Sequence, residues 1–272
     1  ILGALKDDGC QIAKYTPLEG WRVEGEKQCG LNINCCNANG PRAFAMIPQL
    51  ACQAEDKILK LNWYGDSEAK VALGRRNAMK MTVSGNYPVS GDVAIGLELV
   101  KPADFTLALR IPEWSRNTSA TLISGADTTA VDLSELQAGE YAKISRKWKS
   151  GDRIELSLDL TAHLLEQNGC QAIVRGPLVL ARDSRFNDGF VDEGVVVQAA
   201  SDGTVELTPA EADGFAWMAF TAQMVVGTDL ENYGKPRPVH LCDFASAGNT
   251  WDKSVRYRVW LPSFWAIFST DV

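Results

Sequence analysis

The sequence predicts a mainly β protein with one short helical stretch near its start. Three observations carry this. From Lys57 onward, apolar residues recur at every second position in short runs. Those runs return about every ten residues, with Gly, Pro, Asn and Asp between them. Helical periodicity is confined to one window just before the first of them. Short alternating strands in this rhythm build antiparallel sandwiches. The chain divides on this reading into an N-terminal part, 1–54, and two β-sandwich units, 55–168 and 169–272.

Residues 1–36 alternate brief apolar runs with the turn signals Asp7-Asp8-Gly9, Thr16-Pro17, Glu19-Gly20 and Glu24-Gly25, which suits hairpins or irregular excursions. The helix is expected from about Pro41. Asn39 or Gly40 can cap it, Pro41 suits its first position, and Ala43, Phe44, Met46, Ile47, Leu50 and Ala51 form an apolar face. Pro48 should kink or end it. A single helix with such a face expects helical neighbours. The chain supplies none nearby and opens Ile1-Leu2-Gly3-Ala4, so it reads as the later part of a longer protein.

Strands follow at Lys57–Tyr64, Ala78–Ser84, Val93–Leu99, Phe105–Ile111, Ser119–Ile123, Glu140–Arg146 and Arg153–Leu160. The second unit is expected to use Cys170–Val174, Leu178–Ala181, Val195–Ala199, Thr204–Thr208, Phe215–Thr221, Val239–Cys242 and Val255–Leu261. The Gly- and Asp-rich run Asp183–Gly194 is expected as a surface loop. Trp114 and Trp148 are expected in the packing of the first sandwich rather than as sugar platforms.

Composition narrows the function. The 272 residues carry a formal charge of -7, with no basic stripe to meet phosphates, so nucleic acid is not an expected partner. No apolar run is long enough to be read as a membrane span, which needs about 20 residues. An uncharged ligand such as a sugar fits the balance. The seven cysteines are irregularly spaced in a chain too large to need stapling, which predicts reduced thiols. His163 and His240 are read as packed or surface residues, and Asp183 and Asp188 as solvated loop charges with only a minor claim to a metal. No nucleophile elbow, phosphate loop or His-rich metal motif is present. Asn117-Thr118-Ser119 matches a glycosylation sequon.

One stretch stands apart: Asn34-Cys35-Cys36-Asn37-Ala38-Asn39-Gly40-Pro41-Arg42. Vicinal cysteines make a strained disulfide. They can be two buried apolar thiols, two ligands of one soft metal, or a nucleophile beside a ligand. A helix start nearby favours an anion. The residues alone leave these readings open.

Taken with its surroundings, this stretch resembles glycoside hydrolase family 127, the β-L-arabinofuranosidase-like proteins. The family's Cys-Cys-x-x-Asn-x-x-Arg pattern is met by Cys35, Cys36, Asn39 and Arg42. Asp8-Gly9 followed by Lys14-Tyr15-Thr16-Pro17-Leu18 is similar to its D-G…Y-x-N-P-L segment, with Thr16 replacing the Asn. Phe105–Trp114 resembles its l-R-i-P-x-W strand, and Arg146–Asp152 its R-x-W-x-x-G-D. Arg175–Val179 resembles R-G-P-L-V, and Val255–Leu261 its closing M-R-V-W-L. Asn37-Ala38 stands where the best-known members have Pro-Pro.

The resemblance implies an (α/α)6 barrel followed by β-sandwiches, with residues 1–54 as the barrel's end. It implies a zinc ion held by a Glu, an upstream Cys and the vicinal pair. Cys35 would be nucleophile and zinc ligand, Cys36 a ligand only, and Tyr15 a sugar contact. A retaining hydrolysis of L-arabinofuranosides or related plant-polysaccharide sugars follows. The remaining ligands and the acid/base Glu would precede Ile1, so the upstream barrel is an expected partner and the chain alone is expected to be inactive. A different class stays open beside it: a non-catalytic carbohydrate-binding or scaffolding β-sandwich module with structural cysteines.

Overall fold

Met79, Met81 and Val83 of the strand Ala78–Ser84 are buried, while Lys80 and Thr82 between them are not. The same alternation in Asp92–Leu99 buries Val93, Ile95, Leu97 and Leu99. Period-two patterning thus becomes a sheet with one inner face, as side-chain alternation along a strand requires. The computed structural model describes residues 2–13, 15–24, 35–74, 76–134, 136–137, 139–231 and 234–263. The protein is mainly β with one α-helix among the described residues, Cys35–Ala51. It comprises two compact units, 45–160 and 1–44 with 161–272.

In unit 45–160 two sheets face each other. One runs, in spatial order, Ser67–Ala72, Ala78–Ser84, Asp92–Leu99, Arg153–Ser157, Ser119–Ser124 and Asp127–Ala130. The other runs Tyr141–Trp148, Ala103–Arg110, Ile58–Leu61 and Cys52–Glu55. Pairing is antiparallel except between Ile58–Leu61 and Ala103–Arg110, where the long excursion through the first sheet allows a parallel return. Leu59, Leu107 and Leu109 from one sheet meet Ile95, Leu97 and Ile154 from the other in a single core.

Trp148 is fully buried in that core, and its indole N–H donates to the Phe105 carbonyl at 3.0 Å. Trp114 packs half-buried against the same core. Both are packing residues, as expected. The turn after Trp148 explains the rest of its motif. Asp152, 1% exposed, accepts from the Lys149 amide at 3.0 Å and from the Ser124 hydroxyl at 2.7 Å. Gly151 takes the left-handed φ of +90° that this turn requires, and Arg146 lies 3.8 Å from Asp152 and over the Trp148 ring.

In the other unit, eleven strands form one hydrogen-bonded network. Ala162–Gln167 and Cys170–Arg175 make a hairpin whose turn, Asn168 (φ 49°) and Gly169 (φ 70°), has both residues left-handed. That is the turn whose twist matches two antiparallel strands. The expected division at 168/169 falls inside it. The Arg175–Leu178 hairpin then splays: Leu178–Asp183 leaves its partner after two pairs and joins Arg237–Asp243 and Tyr257–Arg258 instead. One buried cluster here consists of Ala172, Ala181, Cys242, Ala247, Tyr257 and Val259.

Among the described residues five strands lie where none was expected: Glu19–Gly20, Cys52–Glu55, Ser67–Ala72, Asp127–Ala130 and Ala162–Gln167. Cys52–Glu55, Ser67–Ala72 and Asp127–Ala130 are sheet edges. Their residues are mostly exposed and carry little apolar alternation. Pairing to a neighbour, not their own pattern, makes them strands.

The run 183–194 is a loop fastened by charge. Asp183 caps the short 3₁₀ turn Ser184–Phe186 and holds Arg185 at 2.7 Å. Arg182, 1% exposed, pairs with Glu193 at 2.9 Å and Asp188 at 3.6 Å. Asp188 also accepts from the His240 amide at 2.6 Å and meets its ring Nδ1 at 3.1 Å. Asp183 and Asp188 are therefore engaged with cations and backbone in this loop, and His240 packs its ring on Phe186 at 5.0 Å.

Candidate active site

The helix begins at Cys35, not near Pro41. The two cysteines therefore stand in its first turn instead of one turn ahead of it. Pro41 and Pro48 each lack the N–H that would reach back four residues, yet the helix runs through both to Ala51. The Asn39 side-chain amide donates to the Cys35 carbonyl at 2.9 Å, tying the first turn together. At the far end, Asn62 closes the helix: its amide reaches the Ala51 carbonyl at 2.8 Å and its side chain the Leu50 carbonyl at 2.7 Å. Met46, Ile47 and Leu50 are exposed, and none of the helix's residues is buried.

The N-terminal segment is laid against the start of this helix. The Ile12 amide donates to the Asn37 side-chain oxygen at 2.9 Å. Gly40 lies beside the Ile12 side chain, where an added Cβ would sit 2.3 Å from Cδ1. A side chain at this position would require the end of the Ile12 side chain to turn aside. Downstream, the segment is gripped from the β unit. The Tyr257 hydroxyl donates to the Pro17 carbonyl at 2.5 Å and the Val259 amide to the Leu18 carbonyl at 2.8 Å. Glu19 and Gly20 pair with Arg258 and Tyr257.

Arg22 completes the grip. It is fully buried, donates to the Phe244 and Ala245 carbonyls, and lies over the Phe244 and Tyr257 rings at 4.9 and 5.2 Å. Burial pulls its pKa down from the usual guanidinium value. Sequence patterning did not mark Arg22, Asn37 or Gly40 for these roles. Asn37 was visible only as a departure from Pro-Pro, and Gly40 only as a possible cap.

Of the expected site residues, Cys35 and Cys36 stand side by side in the helix's first turn, and Tyr15 lies on the N-terminal segment that Ile12 fastens to that turn. Cys35 is exposed and Cys36 half-buried, with the two sulfurs 3.8 Å apart. Two Zn–S bonds of about 2.3 Å at the tetrahedral angle place their sulfurs about 3.8 Å apart. The pair therefore fits two corners of a tetrahedral zinc site. Among the described residues no group of three His, Cys, Asp or Glu converges on a common point. Tyr15 is 70% exposed three residues beyond Ile12. Among the described residues Cys10, Cys52, Cys170 and Cys242 are free thiols, as the irregular spacing predicts. Cys29 lies outside the described residues.

Residues 58–160 match the family model described as the Beta-L-arabinofuranosidase, GH127 middle domain. Three solved structures share the fold. A GH127 beta-L-arabinofuranosidase from Geobacillus stearothermophilus T6 aligns at 21% identity and a TM-score of 0.74, over 96% of this chain and 44% of that one. A glycoside hydrolase aligns at 20% identity and a TM-score of 0.73, over 96% and 46%. A GH127 beta-arabinofuranosidase aligns at 18% identity and a TM-score of 0.74, over 96% and 43%. Comparison with curated proteins returns no match. The likeness to family 127 that the motifs carry is matched by the family model over residues 58–160, the solved structures share the fold, and the chain spans less than half their length.

Proposed function

We propose that the chain is the C-terminal part of a zinc-dependent retaining glycoside hydrolase acting on L-arabinofuranosides or related plant-polysaccharide sugars. Residues 1–54 then close a helical-barrel catalytic domain whose upstream portion supplies the rest of the site. The observation that carries this reading is the pair of sulfurs 3.8 Å apart at an exposed helix start, in a chain whose residues 58–160 match a GH127 middle domain.

Cys35, the more exposed thiol, is the nucleophile. Its sulfur attacks the anomeric carbon, a C–S bond forms, the glycosidic C–O bond breaks, and the leaving oxygen takes a proton from a carboxylic acid on the upstream portion. Water then attacks the same carbon as that carboxylate takes its proton, and the C–S bond breaks to restore the thiolate. Two inversions give retention. Cys35 and Cys36 would hold the zinc, which would keep both sulfurs deprotonated. Cys36, half-buried, holds position as ligand, and the Asn39 and Asn37 bonds fix the turn that carries both. Tyr15 is exposed on the docked segment, and in this reading it lines the sugar.

The test uses the longer protein. Cys35→Ser should abolish hydrolysis of an aryl β-L-arabinofuranoside with the fold intact, and Cys36→Ser should lower bound zinc. A Cys35→Ser enzyme turning over at near-normal rate would falsify the nucleophile assignment. The 272-residue chain alone should show no turnover, because the acid and the other ligands lie outside it. Full-length protein that binds sugar but neither zinc nor hydrolysable substrate would instead mark a binding module with structural cysteines.

A further inference from the structure

The segment that carries Tyr15 is fastened on both sides of it. Before Tyr15, Ile12 is bonded to Asn37 of the helix's first turns. After it, Glu19 and Gly20 pair with Arg258 and Tyr257, which pair in turn with Arg182 and Asp183. This second anchor is also held from the side-chain level, by a clamp of charges.

Asp192 is the centre of that clamp. One of its carboxylate oxygens meets Arg258 Nη1 at 2.9 Å and the other meets Arg256 Nη2 at 2.8 Å. Arg258 gives its other donors to Glu19 at 2.8 Å and to the Trp260 carbonyl at 2.7 Å. Arg256 lies over the Trp21 ring, 5.5 Å from its centre. Asp192 is itself fixed, because its neighbours Val191 and Glu193 are buried and Glu193 pairs with buried Arg182 at 2.9 Å. The Arg256 backbone is fixed too. Its amide donates to the Ser184 hydroxyl at 3.0 Å, and its carbonyl accepts the Ser184 amide at 2.9 Å. A lone exposed ion pair contributes little, but a network of charges held in fixed geometry contributes more. The planar guanidinium fork suits such a network, since less freedom is lost per bond formed.

We infer that Asp192 is a positioning residue for the proposed sugar site, acting through Arg258 and Arg256 on the segment that presents Tyr15. This rests on the reading of Tyr15 as a sugar contact. The charge of Asp192 is what the position needs, because a neutral amide cannot be the shared counter-ion of two guanidiniums. Without it Arg256 loses its hold over Trp21, and Arg258 keeps only Glu19 and Trp260. The clamp shares no residue with the Ile12–Asn37 anchor that touches the thiol turn. Its loss therefore loosens the sugar contact and leaves the sulfurs in place. A contact made equally with bound substrate and transition state is read in KM and not in kcat.

The test uses the longer protein and an aryl β-L-arabinofuranoside. Asp192→Asn should raise KM by about threefold to tenfold with kcat held, and Asp192→Glu should recover part of the loss. Because Asp192 acts through Tyr15, its effect on KM should vanish in a Tyr15→Ala background, whereas independent effects multiply. Hydrogen exchange at the Val259 amide, which donates to Leu18, should quicken in Asp192→Asn. The inference is overturned if either KM or this exchange is unchanged, or if the KM effects of Asp192→Asn and Tyr15→Ala multiply. A native protein that does not hydrolyse the glycoside, or a Tyr15→Ala variant with native KM, overturns the sugar-site reading and this inference with it. The Val259 exchange then still reports whether Asp192 holds the segment.

Discussion

The side-chain oxygen of Asn37 accepts the backbone N–H of Ile12 at 2.9 Å, and this bond, with Gly40 packed on the same Ile12, fastens the N-terminal segment to the turn that carries Cys35 and Cys36. Asn37→Ala should lose a net hydrogen bond of about 1 kcal/mol and loosen the turn. Hydrogen exchange at Ile12 should accelerate while that of the sandwich core does not change. Equal protection in the variant would show that the contact does no positioning.

Gly91 and Gly40 should separate in a stability assay. An alanine Cβ at Gly91 would come within 2.1 Å of the Leu158 carbonyl oxygen, a backbone atom. At Gly40 it meets the end of a side chain that can turn. Gly91→Ala should therefore cost about 1–3 kcal/mol, and Gly40→Ala less. Urea unfolding midpoints read the difference.

Trp148 should dominate the stability of unit 45–160. Trp148→Phe leaves the buried Phe105 carbonyl without its 3.0 Å donor, a loss of about 1–3 kcal/mol. Trp148→Ala adds a cavity and should cost about 3–5 kcal/mol. Denaturant titration of both variants checks the order, and a Phe variant as stable as the native chain would contradict the role of the indole N–H.

Arg22→Lys should not be conservative. A lysine cannot span the Phe244 and Ala245 carbonyls while lying flat on Phe244 and Tyr257. Limited proteolysis should then cut near residues 15–24 in the variant before it cuts the native chain.

Stability should fall in alkali. Burial raises the pKa of the Cys242 thiol well above its usual value, raises that of Tyr64, and pushes Tyr87 up to about 12. In the unfolded chain, Cys and Tyr ionise near about 8.5 and 10. The unfolded state therefore loses these protons first, unfolding releases protons, and stability is full below about pH 8.5 and declines as pH rises above it. Urea midpoints measured from neutral to strongly alkaline pH should fall, and Cys242→Ala should shift the onset upward. Cys242 should also resist alkylation until the chain unfolds, while exposed Cys10 reacts at once.

Much of the fold was legible because burial on one sheet face imposes period two. Ala78–Ser84 was expected and found with the same bounds, and Asp92–Leu99 differs from its expected range by one residue. The edge strand Ser67–Ala72 was not legible, because a strand with little to bury shows no alternation. The helix start was displaced from Pro41 to Cys35. Proline's fixed φ suits a first turn, but one missing N–H is tolerated inside a helix whose other bonds remain.

By itself the sequence determined the mainly β class, the order of its motifs and the vicinal thiols as the stretch most able to carry chemistry. Local preferences and residue identity are enough for those. Only the tertiary structure decided that the sulfurs lie 3.8 Å apart in a helix's first turn, that Asn37 and Gly40 hold Ile12 there, and that Arg22 pins the segment from residues more than two hundred positions away. Such contacts depend on chain closure over long separations, and no local pattern of hydrophobicity encodes which distant carbonyl an arginine will meet.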